Sequence, residues 1–411
     1  RLVADCRHWG TGMAPTLEEH LFAPGVKRVL ALDGGGVKGI VSIAFLEKME
    51  TLLKERSGRG KDFRLCDYFD LVGGTSTGSL LATLIALGYP VADIKKMYLE
   101  WAPAIFRAPW FGFSLLGPRC SSRGLKKRAR SVLKDRTLES ADLKTGFAII
   151  AKRVDTGSPW VLSNNPKSAY WNDPDDRHFL GNRNYRLADL VCASAAAPSY
   201  FAPKRLRMVH KDRRDIKDKH GVFIDGGVSP YNNPALMLLM LASIKAYGFQ
   251  WPLGAGNLLL VSVGTGSYRM RLNPGFWTRR ISKLFAARAL QGMINDADVL
   301  TLTLLQWLSA PRRRWEINSE LKDMTGELLS FPDQSGAGNP LISFVRYDAR
   351  MEKDWLTSHC AELDSELTPE YIEGLQQLDR PDLMGSMYKV GEICARAQVT
   401  PDDFPNAFDP A

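Results

Sequence analysis

Gly74-Thr75-Ser76-Thr77-Gly78 is the stretch that constrains this fold most, because it fits the pattern G-x-S-x-G between a strand-like run and a helix-like run. Tyr68–Val72 precedes it, and the apolar run Ser79–Leu87 follows it. A strand that turns this sharply into a helix forces unusual backbone angles on the serine. The pattern therefore predicts an exposed Ser76 hydroxyl beside a helix N-terminus, which favours negative charge. The structural alternative is an ordinary turn in which Ser76 or Thr77 caps the helix.

Strand-like and helix-like runs alternate on both sides of this turn. Apolar residues recur at helical spacing in Ile40–Leu53. The predicted strands are Lys27–Leu32, Tyr68–Val72, Phe147–Lys152, Trp160–Ser163, Gly221–Ile224 and Leu258–Val263. Apolar strands separated by helices are typical of a mostly parallel sheet that is covered on both faces. We therefore expect an α/β fold with three layers, α/β/α.

The pattern becomes more helical after about residue 270. Ser343–Asp348 is an exception that we predict to be an edge strand, and Pro369–Ala397 is amphipathic with a proline near a helix start. We expect an N-terminal extension over residues 1–24, a core domain over residues 25–270 that contains the G-x-S-x-G turn, and a mostly helical C-terminal extension over residues 271–411 that packs on the core.

A glycine-rich loop, Asp33-Gly34-Gly35-Gly36-Val37-Lys38-Gly39, joins the first predicted strand to the first helix. Backbone N–H groups in such a loop can stabilise the negative charge that acyl transfer places on a carbonyl oxygen. The loop also matches G-x-G-x-x-G, the fingerprint of dinucleotide-binding Rossmann proteins. That fold needs a second strand that ends in an acidic residue about 20 residues later. Here that position falls in a helix and a polar loop, so the dinucleotide interpretation is the weaker alternative.

A serine nucleophile needs a base within hydrogen-bond reach. The chain has six histidines, and His220, directly before the strand Gly221–Ile224, is the best of them for a conventional triad. Asp225 ends the same strand and is followed by Gly226-Gly227. Catalytic groups of open α/β sheets gather at the carboxyl ends of strands, so Asp225 is the better candidate. The alternative is a turn aspartate that bonds its own backbone.

The chain has a formal net charge of +9, and its cations are clustered. The clusters lie at residues 119–130, 204–219, 269–283 and 312–314. Such surfaces attract anionic lipid headgroups or a phosphate-bearing ligand, although solvated surface charge is the simpler alternative. No nucleic-acid-binding module is recognisable, so we expect no nucleic acid polymer as a partner.

The chain contains no apolar run of about 18 residues, so we expect no transmembrane helix. Its first residues, Arg1–Asp5, do not have the pattern of a signal peptide. We therefore expect a cytoplasmic protein that associates peripherally with the membrane when active.

Together the three motifs resemble the patatin-like phospholipase family, whose signature is a D-G-G-G-x-[KR]-G loop, a G-x-S-x-G elbow and a D-G-[GA] motif. They stand in that order at Asp33–Gly39, Gly74–Gly78 and Asp225–Gly227. Further stretches similar to the family are Ala193–Phe201, Asn232-Asn233-Pro234 and Val263-Gly264-Thr265-Gly266.

The resemblance implies a role for each matching residue. Ser76 would be the nucleophile and Asp225 the base of a Ser–Asp dyad. The oxyanion loop would comprise Gly34, Gly35, Gly36, Lys38 and Gly39; the elbow Gly74, Thr75, Thr77 and Gly78; and the aspartate motif Gly226 and Gly227. The implied activity is hydrolysis of fatty-acyl esters of membrane phospholipids through an acyl-enzyme, without metal or cofactor.

Two further hypotheses concern regulation and loss of activity. Some bacterial members of the family are anti-phage effectors that a cyclic oligonucleotide switches on, and the basic clusters are compatible with such an activator. A lipid-binding scaffold without catalysis is the alternative, which the intact motifs oppose. A homo-oligomer is compatible with either role. The aromatic segment Trp101–Leu116 is a candidate wall of an acyl groove or a membrane contact.

Overall fold

The computed structural model describes residues 14–106, 120, 122–269, 282–313, 315–318, 321–322, 324 and 339–410. Within these residues, nine strands form one sheet. The strands are β1 (Lys27–Leu32), β2 (Leu71–Thr75), β3 (Gly146–Arg153), β4 (Pro159–Ser163), β5 (Lys204–Arg207), β6 (His220–Asp225), β7 (Leu258–Val263), β8 (Ser309–Pro311) and β9 (Ile342–Tyr347).

The strand order is β5-β6-β3-β2-β1-β7-β9-β8, and β4 also pairs with β3. Six neighbouring strands of the sheet are parallel to one another: β3, β2, β1, β7, β9 and β8. The remaining three, β4, β5 and β6, pair in antiparallel fashion. β1 is central: Val29 lies opposite Leu71 of β2 and Leu260 of β7. The expected mostly parallel sheet is therefore confirmed.

Twelve α-helices of four or more residues accompany the sheet in the described part of the chain. They are α1 (Leu17–Phe22), α2 (Gly39–Ser57), α3 (Leu65–Tyr68), α4 (Thr77–Ala86), α5 (Val91–Ile105), α6 (Ser122–Leu133), α7 (Leu187–Ser194), α8 (Ala235–Ser243), α9 (Ser282–Trp307), α10 (Lys353–His359), α11 (Pro369–Gln376) and α12 (Met384–Gln398). None of these helices is both long enough and apolar enough to cross a bilayer.

Two hydrophobic cores lie on opposite faces of the sheet. Successive side chains of a strand point to opposite faces, so Leu30 and Leu32 of β1 join one core while Val29 and Ala31 join the other. The first core contains apolar residues of α2, α4, α5, α6, α7 and α12. The second contains residues of α8 and the end of α9. This arrangement confirms the predicted three-layer α/β/α fold.

The structure corrects three details of the predicted elements. Tyr68 ends helix α3, and the following strand begins at Leu71. The stretch Pro369–Ala397 forms two helices separated by a turn at Pro381. β9, which was predicted at the edge of the sheet, lies between β7 and β8. The edge belongs to β8, which has only three residues and ends in a proline, and therefore carries no readable strand pattern.

Candidate active site

Ser76 occupies the turn between β2 and α4 with φ 53° and ψ −122°. A positive φ is uncommon for a residue with a side chain, and it is the strained geometry expected of the elbow. A Cβ atom added to Gly74 would lie 2.1 Å from the Gly78 carbonyl oxygen, and one added to Gly78 would lie 2.1 Å from the Leu32 carbonyl oxygen. Both glycines are therefore required for the close approach of strand, turn and helix.

Asp225, at the end of β6, meets this serine directly. The Ser76 hydroxyl donates a hydrogen bond of 2.6 Å to Asp225 Oδ2. The other carboxylate oxygen, Oδ1, accepts from the Gly227 N–H at 2.7 Å. Burial raises the pKa of Asp225 to about 6, although the hydrogen bonds from Ser76 and Gly227 act in the opposite direction. The carboxyl group is thus fixed in place and has a pKa close to neutral pH.

The structure does not bring a histidine to Ser76 within the described residues. His220 is exposed at the start of β6, five residues before Asp225. At about 3.3 Å per residue this places His220 roughly 16 Å from the carboxylate along the strand. His20 is buried elsewhere, where it contacts Asp70 at 2.9 Å. His8 lies outside the described residues.

The glycine-rich loop lies against the Ser76 side chain. A Cβ atom added to Gly34 would lie 3.2 Å from the Cβ of Ser76. The N–H of Gly34 donates to the Asn232 carbonyl at 3.1 Å and so is already engaged. Gly35 and Gly36 also line the cavity beside Ser76. Among the described residues no acceptor engages their N–H groups, which are therefore free to bind a ligand oxygen.

Lys38 holds this loop against the segment that follows β7. Its ammonium group donates to the Gly266 carbonyl at 2.7 Å and lies 5.3 Å from the ring centroid of Tyr268. Burial lowers the pKa of Lys38 to about 8. Gly39 begins α2, and a Cβ atom there would lie 2.1 Å from Thr77 Cγ2, so Gly39 allows α2 to pack on the elbow.

Ser194, at the end of α7, supports the backbone of the elbow. Its hydroxyl accepts the Ser76 N–H at 2.8 Å and donates to the Ile150 carbonyl at 2.5 Å. Ser194 falls in one of the stretches that resemble the family, but its contact with Ser76 could not be inferred from the motifs. It contributes to holding Ser76 in its strained conformation.

A charged network that includes residues from the C-terminal half of the chain adjoins the glycine loop, with Asp33, Arg346 and Asp348 buried and Asp298 half-buried. Asp298 of α9 accepts from Asn232 Nδ2 at 3.1 Å and from the Asn233 N–H at 3.1 Å. Arg346 of β9 contacts Asp33 Oδ2 at 2.7 Å and Asp348 Oδ2 at 2.9 Å. Burial raises the pKa of Asp33 to about 7 and that of Asp298 to about 6, while the Arg346 charge lowers both.

A cavity of about 990 Å³ opens over Ser76 and Asp225. One part of its wall is apolar. It is formed by residues of helices α4 to α7, by the residue that follows α5 and by the segment after α7: Leu80, Trp101, Ile105, Phe106, Leu125, Val191 and Phe201. Another part is polar: Asp33, Lys38, Asn232, Asp298, Arg346 and Asp348. Trp101–Phe106 of the predicted aromatic segment thus contributes to the wall, and its residues 107–116 lie outside the described residues.

Comparison with known proteins agrees with these motifs. The chain is 33% identical over 257 residues to Patatin group M-3 of Solanum tuberosum, and the match covers 58% of this chain and 60% of that protein. Patatin-15 of the same organism is 32% identical over the same length, with the same coverage. The chain therefore spans about 60% of the length of the curated relatives that it matches.

Solved structures with detectable similarity include human GIVD cytosolic phospholipase A2, with 12% identity, a TM-score of 0.39, and coverage of 92% of this chain and 60% of that chain. VipD from Legionella pneumophila has 12% identity and a TM-score of 0.32 over 89% of this chain and 67% of that chain. A family model described as patatin-like phospholipase matches residues 30–239, just over half of the chain. By this match, the chain belongs to the patatin-like phospholipase family.

Proposed function

We propose that this chain is a serine ester hydrolase of the phospholipase A type, which cleaves fatty-acyl esters of membrane phospholipids. The observation that carries the proposal is the 2.6 Å hydrogen bond between Ser76 and Asp225. The bond lies at a cavity with an apolar wall, which suits a fatty-acyl chain. Family membership and the named patatin relatives support the same activity.

In the first half of the reaction, Asp225 accepts the Ser76 hydroxyl proton while the serine oxygen attacks the acyl carbonyl carbon. The electron pair of the carbonyl π bond moves to its oxygen, and the N–H groups of Gly35 and Gly36 stabilise this negative charge. The tetrahedral intermediate then collapses. The bond to the lyso-lipid oxygen breaks, that oxygen takes the proton from Asp225, and an ester of Ser76 remains.

In the second half, water replaces the lyso-lipid. Asp225 accepts a proton from the water as its oxygen attacks the acyl-enzyme carbonyl. Collapse of the second intermediate returns the proton to Ser76 and releases the fatty acid. The 2.7 Å bond from the Gly227 N–H holds the Asp225 carboxylate in one orientation through both halves. No step requires a histidine.

The activity should depend on pH through Asp225. The base must be a carboxylate in the free enzyme, and burial raises its pKa to about 6. We therefore expect kcat/KM to be constant above that pH and to fall about tenfold per pH unit below it. The measurement is kcat/KM for a water-soluble ester between about pH 4 and 9. The variant His220→Gln should show the same decrease in kcat/KM at low pH. A decrease in kcat/KM that His220→Gln removes would contradict Asp225 as the base. A decrease that begins only near the ordinary pKa of an aspartate would contradict the raised pKa.

Asp298 should position the glycine loop, although it lies outside the matched family region. It accepts two hydrogen bonds from Asn232 and Asn233, and the Asn232 carbonyl in turn holds the N–H of Gly34. Asp298→Asn should lower kcat about tenfold, because losing one hydrogen bond to a charged acceptor has an effect of about this size. KM should change less than about twofold. Asp296→Asn, at an exposed position of the same helix, is the matched control. Equal kcat values for the two variants would overturn the positioning role.

The substrate is tested by mass spectrometry of the products from a panel of phospholipids with different acyl chains at the two positions. We expect a free fatty acid and a lyso-phospholipid. Galactolipid and neutral glyceride in the same panel test the alternative substrates. Binding of these lipids without any fatty-acid release would instead favour the catalytically silent scaffold.

Activation by a cyclic oligonucleotide in anti-phage defence stays a prediction, supported by the net charge of +9 and its clustering. The same assay with a panel of cyclic dinucleotides and trinucleotides tests it. A rate that none of them changes would argue against this regulation and leave the hydrolase proposal intact.

A further inference from the structure

Helix α6 presents a strongly basic surface. Ser122–Leu133 contains five arginines and lysines and no acidic residue. Its buried side chains are Leu125, Ala129 and Leu133. Four of its cations are exposed: Arg123, Lys126, Lys127 and Arg130. At 3.6 residues per turn, these four positions fall within an arc of about 100° on the helix.

The positive charge of this face is poorly compensated. Among the described residues, the one ion pair that involves α6 joins Arg130 to Asp189 at 3.9 Å. Asp189 is already paired more closely with Lys204, at 2.5 Å. Two cations therefore share one carboxylate, and the exposed face of α6 keeps a net positive charge.

The basic face adjoins the apolar wall of the cavity. Leu125, on the buried side of the same helix, lines that wall. The start of α6 is tied to the lining segment after α7, because Ser122 Oγ accepts the Ala202 N–H at 3.2 Å and the Cys120 N–H donates to the Tyr200 carbonyl at 2.8 Å. Tyr200 also lines the cavity. A surface that binds the face of α6 is thus held close to the apolar part of the cavity.

We propose that the exposed face of α6 docks the protein on the anionic surface of a lipid bilayer. The proposal rests on the proposed lipid hydrolysis, since that activity requires access to lipids in a bilayer. Cations at such a surface are attracted by anionic headgroups, and the attraction is screened by salt. Docking through α6 holds the apolar part of the cavity near the membrane, from which an acyl chain can enter.

The test compares two variants with the same change in charge. In the α6 variant, Arg123, Lys126, Lys127 and Arg130 are each replaced by glutamine. In the control variant, the exposed cations Arg205, Lys211, Arg214 and Lys217, none of which lines the cavity, are replaced by glutamine. Binding is measured by co-sedimentation with vesicles of ether-linked phosphatidylcholine, with and without ether-linked phosphatidylglycerol. Ether-linked phospholipids contain no fatty-acyl ester, so the proposed hydrolase activity leaves the vesicles intact.

We expect the α6 variant to bind phosphatidylglycerol vesicles at least about tenfold more weakly than the wild type, and the control variant to bind like the wild type. Added salt should weaken wild-type binding. Equal binding by the two variants would overturn the proposal. So would an α6 variant that keeps vesicle binding but loses retention of labelled duplex DNA, which would assign the face to nucleic acid.

Hydrolysis of a water-soluble ester separates this proposal from the proposed function. The α6 variant should hydrolyse the soluble ester like the wild type, because none of its four changed side chains lines the cavity. If no protein hydrolyses any ester while the binding results hold, the hydrolase proposal fails and the docking surface stands. If soluble-ester hydrolysis is normal and the vesicle results of the two variants are equal, the docking surface fails and the hydrolase stands.

Discussion

Replacement of Ser76 by alanine is expected to lower kcat for ester hydrolysis by at least about 10⁴-fold, since a serine hydrolase that loses its nucleophile keeps only the residual effect of its oxyanion hole and binding site. In this chain the Ser76 hydroxyl group donates a hydrogen bond of 2.6 Å to Asp225, and Ser76 lines the cavity. Burst and steady-state release of fatty acid, measured on the same protein preparation, give the size of the effect.

Folding of the Ser76→Ala variant has to be verified separately, because position 76 has a positive φ that is strained for any residue with a side chain. Alanine meets the same strain as serine, so thermal unfolding should differ little from that of the wild type. Ser267→Ala is a matched control, since Ser267 also lines the cavity but does not take part in the hydrogen bond between Ser76 and Asp225. A folded Ser76→Ala variant that retains full activity would refute the proposed nucleophile.

Replacement of Asp225 by asparagine should lower kcat about 10²–10⁴-fold, the usual contribution of a general base. Asparagine has nearly the same shape and can still accept from the Gly227 N–H, but it cannot take the Ser76 proton. Steady-state kcat at a pH well above 6, where the wild-type carboxylate is charged, is the relevant measurement. An asparagine variant with wild-type kcat would contradict the dyad.

Although Asp225→Asn should lower kcat, it should increase the stability of the folded protein. Burial raises the pKa of Asp225 from 3.8 to about 6 in the folded protein. For a carboxyl whose folded-state pKa is raised, stability is greatest below the unfolded-state pKa and falls as pH rises through the folded-state pKa. At pH 7 to 8 the asparagine variant should therefore unfold at a temperature a few degrees above that of the wild type. A less stable variant would show that the charged carboxylate contributes more to folding than its burial costs.

The sequence predicts the centre of the fold well because the central strands are buried on both faces. β1 and β7 have the predicted bounds, Lys27–Leu32 and Leu258–Val263, since most of their residues are apolar: the last four of β1 and all but Ser262 of β7. The elbow and the glycine loop are also readable, because their backbone geometry admits few residue types. Gly74 and Gly78, for example, have no room for a side chain.

Other elements of the fold and of the site cannot be recognised from a local sequence pattern. β5 (Lys204–Arg207) lies in a charged stretch that suggests a loop, and its pairing with β6 supplies the missing context. Asp298 is one carboxylate on the 26-residue helix α9, and only the fold brings it to Asn232. Ser194 likewise acquires its contact with Ser76 through tertiary packing. Such contacts between distant segments depend on the whole fold, so no spacing rule predicts them.

Labelling with a fluorophosphonate probe, followed by peptide mapping, tests the Ser76–Asp225 dyad most directly. A fluorophosphonate phosphonylates an activated serine, and fluoride leaves. The dyad predicts one adduct, on Ser76, that forms in step with the loss of ester hydrolysis and forms much more slowly in Asp225→Asn. An adduct on another residue that accompanies complete inhibition, or full activity after Ser76 is modified, would contradict the dyad.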